Sequence, residues 1–187
     1  MYTFDNAAEW SSQDKQALGF DFPNLPYVID GDVKITESAA VTIYLCDKYA
    51  PELMGTTPEQ RAKIMMLHLV LKDHWQSYHP IATMKGATQE AMADKAMESW
   101  PKIAAVLGAN NYLVGNSVTV ADIIMFEMIE FTLAMCRDKR LYTTCPNLEA
   151  FNARIKAIPT LAAYFASPEF VSAFYPPFVP VEMIIQE

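Results

Sequence analysis

The sequence has no basic tract: 14 Lys and Arg stand against 22 Asp and Glu, for a formal net charge of −8. Recognition of a phosphate backbone needs clustered cations that release its counterions, so this balance argues against nucleic acid as a partner. Cysteine is scarce and odd in number. Cys46, Cys136 and Cys145 lie far apart, whereas a disulfide framework is denser and even, so a reducing, intracellular and most simply cytoplasmic location is expected. His68, His74 and His79 do not follow the spacing of a zinc-binding helix, and no metal site is expected. The opening Met1-Tyr2-Thr3-Phe4-Asp5 has neither the basic nor the apolar region of a secretory signal. The most apolar stretch, 118–135, is interrupted by Asp122, Glu127 and Glu130, which makes it a buried helix rather than a membrane span. Internal repeats are absent.

What is present is an ordinary globular composition, 52% hydrophobic and 19% charged over 187 residues, enough chain for a sizeable core. The first 20 residues are polar and mixed, with a weak β signal at Tyr2-Thr3-Phe4 and a short helical candidate at 11–17. Phe22-Pro23-Asn24-Leu25-Pro26 must be extended, because a residue preceding proline is pushed out of the α region. Tyr27-Val28-Ile29 and Val33-Lys34-Ile35 then flank Asp30-Gly31-Asp32 and predict a hairpin. From Ser38 to Tyr49 the apolar positions Ala39, Ala40, Ile43, Tyr44 and Cys46 follow helical spacing, and Pro51 stops that helix.

Beyond a linker at 51–57 the pattern is helical throughout, with candidate helices at 58–84, 88–107, 119–135, 147–156 and 159–166. The tail Phe174-Tyr175-Pro176-Pro177-Phe178-Val179-Pro180 cannot be a helix interior. The expected organisation is a small α/β domain at 1–50 followed by an all-helical domain at 58–187. Thr119-Val120-Ala121-Asp122 carries the clearest helix start, with Thr119 expected to cap first-turn amides and Asp122 to answer back to the cap backbone. Met65-Met66-Leu67 and Met125-Phe126-Met128 read as core.

Asp21-Phe22-Pro23-Asn24-Leu25-Pro26-Tyr27-Val28-Ile29-Asp30-Gly31, followed by Lys34-Ile35-Thr36-Glu37-Ser38, resembles the thiol-binding half of mu-type glutathione transferases, with sigma-type members as related alternatives. Gly115-Asn116-Ser117-Val118-Thr119-Val120-Ala121-Asp122 resembles the capped buried helix of the same family. Cys145-Pro146-Asn147-Leu148 and Ile158-Pro159 resemble the helices after it. The likeness spans roughly 10–170, with three motifs in the family's order. It implies a glutathione-transferase fold, α+β, with a thioredoxin-like N-terminal part followed by an all-α domain. The implied reaction is conjugation of glutathione to electrophiles, the thiolate attacking a carbon centre.

The resemblance also implies roles for single residues. A cis Leu25–Pro26 bond would let the Leu25 amide and carbonyl pair with the cysteinyl part of glutathione, as an added strand does, with Asn24 adding a side-chain bond. Ser38, at a helix start where free amides and the dipole favour a carboxylate, would hold the γ-glutamyl end, and Glu37 its ammonium. Trp10 and Lys15 match contacts to the glycine end, and Asp73 matches a residue reaching the γ-glutamyl amine across a homodimer. Phe22 matches an aromatic that enters an apolar pocket on the partner subunit. Each has a plainer reading that stays open: turn architecture for Asn24, Leu25 and Pro26, a helix cap for Glu37 and Ser38, core packing for Trp10 and Phe22, solvation for Lys15 and Asp73.

The sequence departs from the family pattern at its start. Members open with a strand and helix whose hydroxyl or thiol residue stabilises the glutathione thiolate, lowering a thiol pKa of about 8.5. Here Tyr2-Thr3-Phe4 matches the end of the second strand, so no catalytic residue is assigned. The Arg that members place before the Trp is absent, with Asn6 and Glu9 in its area. Impaired catalysis is the resulting expectation, with a non-catalytic subunit of a protein complex as the alternative.

Overall fold

Proline and glycine set the punctuation of the chain, and the computed structural model describes residues 10–83, 88–136 and 139–170. Tyr2, Thr3, Phe4, Asn6, Glu9 and the 174–180 tail lie outside the described residues. The chain forms two compact units, 1–54 and 55–187.

In the first unit a π-helical turn, Trp10–Asp14, continues into Lys15–Ala17. The extended segment leads into β1 (Tyr27–Asp30), which pairs antiparallel with β2 (Val33–Thr36). Asp30 faces Val33, leaving the two-residue loop Gly31-Asp32, and Gly31 takes φ +61°. A two-residue hairpin loop needs positive φ at its first position to match the strand twist, and glycine adopts it without a Cβ clash. Helix α1 (Ser38–Tyr49) follows, and Pro51 begins a single 3-10 turn, Pro51–Met54.

In the second unit, α2 (Pro58–Tyr78) starts with Pro58 at its first position and the Thr57 hydroxyl accepting the Gln60 amide at 3.2 Å. That is the helix-start chemistry expected of Thr-Pro. The α-helix ends at Tyr78 and tightens into a 3-10 turn, His79–Thr83, because Pro80 has no amide to continue the ladder. The helix expected over 88–107 is two helices, α3 (Gln89–Met97) and α4 (Trp100–Leu107). Pro101 again supplies the reason: inside a continuous helix its ring would collide with the carbonyl four residues earlier. Next come α5 (Val120–Cys136), α6 (Arg140–Thr144), α7 (Pro146–Lys156) and α8 (Pro159–Phe165). The short α6 has no apolar periodicity to announce it.

Helix α5 packs against α2, α3 and α7. Ile64, Leu71 and Tyr78 recur every seven residues on α2 and are buried together with Met125 and Ile129 of α5 and Phe151 and Ile155 of α7. Met66, however, is exposed, which corrects the reading of its cluster as wholly core. A polar knot sits in this interior. The Thr132 hydroxyl donates to the Met128 carbonyl at 2.8 Å, so it must accept both the Trp100 indole N–H at 3.1 Å and the Tyr78 hydroxyl at 3.0 Å. Buried polar groups of this kind are tolerated because each finds a partner.

The start of α5 is pinned by Asp122, which is fully buried. One carboxylate oxygen accepts the Leu113 amide at 2.8 Å, and the other accepts the amide and hydroxyl of Thr119, each at 2.8 Å. Asp122 answers back to the cap backbone as expected, and the Thr119 hydroxyl donates to the same carboxylate. The carboxylate is a strong acceptor for that hydroxyl. Burial pushes the Asp122 carboxyl above its ordinary value, and the donors from Leu113 and Thr119 oppose that shift. Replacing Asp122 by Ala leaves two buried amides without an acceptor, at about 1–3 kcal/mol each. Urea unfolding of Asp122→Ala should therefore report a loss of about 2–6 kcal/mol, and Asp122→Asn a smaller one.

Candidate functional site

Two local constraints in the first unit bring Asn24, Leu25, Glu37 and Ser38 together. The Leu25–Pro26 peptide bond is cis, and Leu25 is 41% exposed at that turn. Across from it, Glu37 precedes α1 with φ +71° and ψ 119°. A non-glycine residue there is held in a sparsely populated region that its surroundings must impose. The Glu37 carbonyl still accepts the Val41 amide at 2.9 Å, so the strained residue starts the helix. The first-turn amides, beginning with half-buried Ser38, have no intrahelical acceptor and leave a site suited to an anion.

Side-chain bonds fasten this turn. The Thr36 hydroxyl donates to the Phe22 carbonyl at 2.7 Å, and the Lys34 ammonium donates to the Leu18 carbonyl at 2.6 Å. Asn24 donates from Nδ2 to Glu37 Oε1 at 3.0 Å, while its Oδ1 accepts the Leu25 amide at 2.9 Å. Three of the residues singled out in the sequence are thus linked directly by hydrogen bonds, with Ser38 and Pro26 adjacent in the chain.

The others lie elsewhere. Trp10 is half-buried and stacks on Tyr27, with ring centroids 5.8 Å apart and planes at 18°, so it packs within its own unit. Lys15 is exposed in the short helical stretch. Asp73 is exposed on α2 in the second unit, where it lines a groove of about 400 Å³ with His74, Ser77, Glu98, Ser99 and Lys102. There, buried His74 accepts or donates at Nδ1 to the Ser99 hydroxyl at 2.5 Å, and burial pushes its imidazole down to about 4. Phe22 is 81% exposed. No cluster of potential metal ligands occurs among the described residues.

Residues 73–168 match the family model described as the glutathione S-transferase C-terminal domain. A class-mu 26 kDa glutathione S-transferase of Fasciola hepatica is 34% identical over 179 residues, covering 91% of this chain and 76% of the relative. The chain belongs to the glutathione S-transferase family. The class-mu 26 kDa isozyme of Schistosoma japonicum is 32% identical over 176 residues, covering 92% of the chain and 78% of that protein. The crystal structure of the glutathione S-transferase Blo t 8 superposes with a TM-score of 0.79 at 23% identity, covering 93% of this chain and 82% of that one. The fold is therefore that of a glutathione S-transferase: the hairpin and α1 fit a thioredoxin-like part, and α2 to α8 form the helical domain. Among the described residues, no helix is long and apolar enough to cross a membrane.

One cluster in this family member was not singled out from the sequence. Asp30, read as a turn residue, accepts at a single carboxylate oxygen from Lys48, from the Tyr44 hydroxyl at 2.8 Å and from the Tyr49 hydroxyl at 3.0 Å. The i, i+4 placement of Tyr44 and Lys48 on α1 was the available signal, but their shared target comes from the hairpin. The cluster ties the hairpin end to α1, the helix that begins at Glu37 and Ser38. Lys48 above all, then Tyr44 and Tyr49, hold the Asp30 carboxyl down to about 2 from 3.8. A carboxyl depressed in the folded state contributes stability above its unfolded pKa of about 4 and loses that contribution as pH falls toward the folded value. Between pH 4 and pH 2, the urea midpoint of the wild type should fall more steeply than that of Asp30→Asn.

Proposed function

We propose that this chain binds glutathione at the turn formed by Asn24, Leu25 and Pro26 and the start of α1. The observation that carries the reading is the exposed turn at Leu25 hydrogen-bonded through Asn24 to Glu37 at a helix N-terminus. An extended peptide laid along Leu25 would bond its backbone as an added strand does. Its γ-glutamyl carboxylate would meet Ser38 and the first-turn amides, and its ammonium would meet Glu37. Trp10 and Lys15 would serve the glycine end, and Asp73 of a second copy the γ-glutamyl amine.

The ancestral reaction is conjugation of the glutathione thiolate to electrophiles. In this reading the chain binds the tripeptide and its conjugation is impaired. Calorimetry should detect glutathione binding to the folded chain, with Ser38→Ala weakening it about tenfold, as expected for loss of a bond to a charged group. Absence of heat at millimolar glutathione would remove the ligand reading. Conjugation of an aromatic halide well above the uncatalysed rate would remove the impairment.

A second reading, a structural subunit acting through its surface, is favoured by the apolar features outside this site. Phe22 is exposed in the first unit, and in the second a groove of about 120 Å³ is lined by Leu67, Val70, Ile103, Val106 and Leu113 beside Lys102. We assign the groove to Phe22 of a second copy, giving a homodimer. An exposed aromatic entering an apolar pocket is a common interface anchor. Sedimentation should show dimers for the wild type and a dissociation constant raised at least about thirtyfold for Phe22→Ala, the effect of losing about 2 kcal/mol at a hot spot. A monomeric wild type would overturn this assignment.

A further inference from the structure

Among the described residues the sheet of the first unit has two strands, so each strand keeps one outer edge. The pairing register gives the phase of that edge on β1. Asp30 and Val33 flank the two-residue loop and exchange the first pair of bonds, and antiparallel bonding alternates from there. The amides and carbonyls of Val28 and Asp30 therefore turn toward β2, and those of Tyr27 and Ile29 turn outward. Among the described residues nothing in the chain bonds these outward groups. The strand carrying them is already fixed. Trp10 and Phe20 pack on Tyr27 with ring centroids at 5.8 and 5.2 Å, and α1 holds Asp30 through Tyr44, Lys48 and Tyr49. On the outer edge of β2 stands the exposed Lys34, and an edge lysine is a common guard against strand addition. β1 has no lysine, its one acid is engaged with Lys48, and Ile29 stands 44% exposed on it.

We propose that the outer edge of β1 accepts an extended segment of another polypeptide as a third strand. Tyr27 and Ile29 would each offer an amide and a carbonyl to alternate residues of that segment. The exposed Ile29 side chain selects an apolar or β-branched residue beside it. Charge selects the rest of the partner. Between 10 and 54 seven Asp and Glu stand against three Lys, and Asp32 is exposed in the adjoining turn. A segment with flanking basic residues complements this edge, whereas a second copy would bring the same acids to it. The bonding groups lie outside those assigned to glutathione, so the two sites are independent.

The probe is an acetylated and amidated heptapeptide, Lys-Val-Thr-Val-Thr-Val-Lys, added to the full-length chain while amide hydrogen exchange is read by NMR. In the chain alone, the Tyr27 and Ile29 amides should exchange at least about tenfold faster than that of Val28, which β2 already holds. The peptide should slow both by about tenfold or more, and its fully N-methylated form, which has no donors, should slow neither. Ile29→Pro removes an outward donor without removing a bond to β2. It should weaken peptide binding about tenfold or more at unchanged protection of Val28. Protection of Tyr27 and Ile29 equal to that of Val28 in the chain alone would overturn the proposal, because the edge would already be covered. Protection that rises with protein concentration would give the edge to a second copy instead. Equal slowing by the N-methylated peptide, or no slowing at millimolar peptide, would remove the strand site.

Discussion

The carboxylate of Asp122 is the constraint on which the helical domain turns. It takes the Leu113 amide on one oxygen and Thr119 on the other, so it fixes a loop and a helix start at one buried point. Helix α5 runs from that point between α2, α3 and α7. A buried carboxylate is expensive unless its lone pairs are satisfied, and here its donors include two backbone amides that would otherwise be orphaned. The polar group and the polar backbone thus solve each other's desolvation problem. The same logic recurs further along α5, where Thr132 accepts from Trp100 and Tyr78.

The first unit handles the problem differently, because its sheet has two strands among the described residues. Two strands alone are marginal, and charge-assisted bonds at Asp30 hold the hairpin to α1. That places the start of α1 under control from both ends: Asp30, Tyr44, Lys48 and Tyr49 along the helix, Asn24 and Glu37 at its beginning. Positive φ at Glu37 persists in this setting because the turn, the helix and the Asn24 bond all fix it. The function proposed for the turn depends on that fixed geometry, since a peptide read by backbone bonding needs the amide and the helix start already aligned.

Legibility from the sequence differed by type of signal. The hairpin and α1 were readable because period-two and period-3.6 patterns are local properties of side-chain direction. Pro101 was equally visible, yet a continuous apolar pattern across it suggested one helix where a ring collision enforces two. Arg140–Thr144 carried no apolar periodicity, so its helix depends on neighbours the sequence does not display. Around the site, Glu37 and Ser38 were marked by family resemblance. The bond from Asn24 to Glu37 could not be, because side-chain partners separated by a hairpin are chosen by folding.

The sequence by itself determined the hairpin, the helix after it, the helix starts at 58 and 159 and, to within a residue, those at Val120 and Pro146, and the family, because these rest on local sterics, periodicity and ordered motifs. The tertiary structure alone decided which groups meet. It put Trp10 on Tyr27, three donors on Asp30, and the Thr119 hydroxyl on the Asp122 carboxylate. It also placed the Asn24 carboxamide between Leu25 and Glu37. Hydrogen bonding is short-ranged and directional, so its partners exist only once the chain has brought them within about 3 Å of each other.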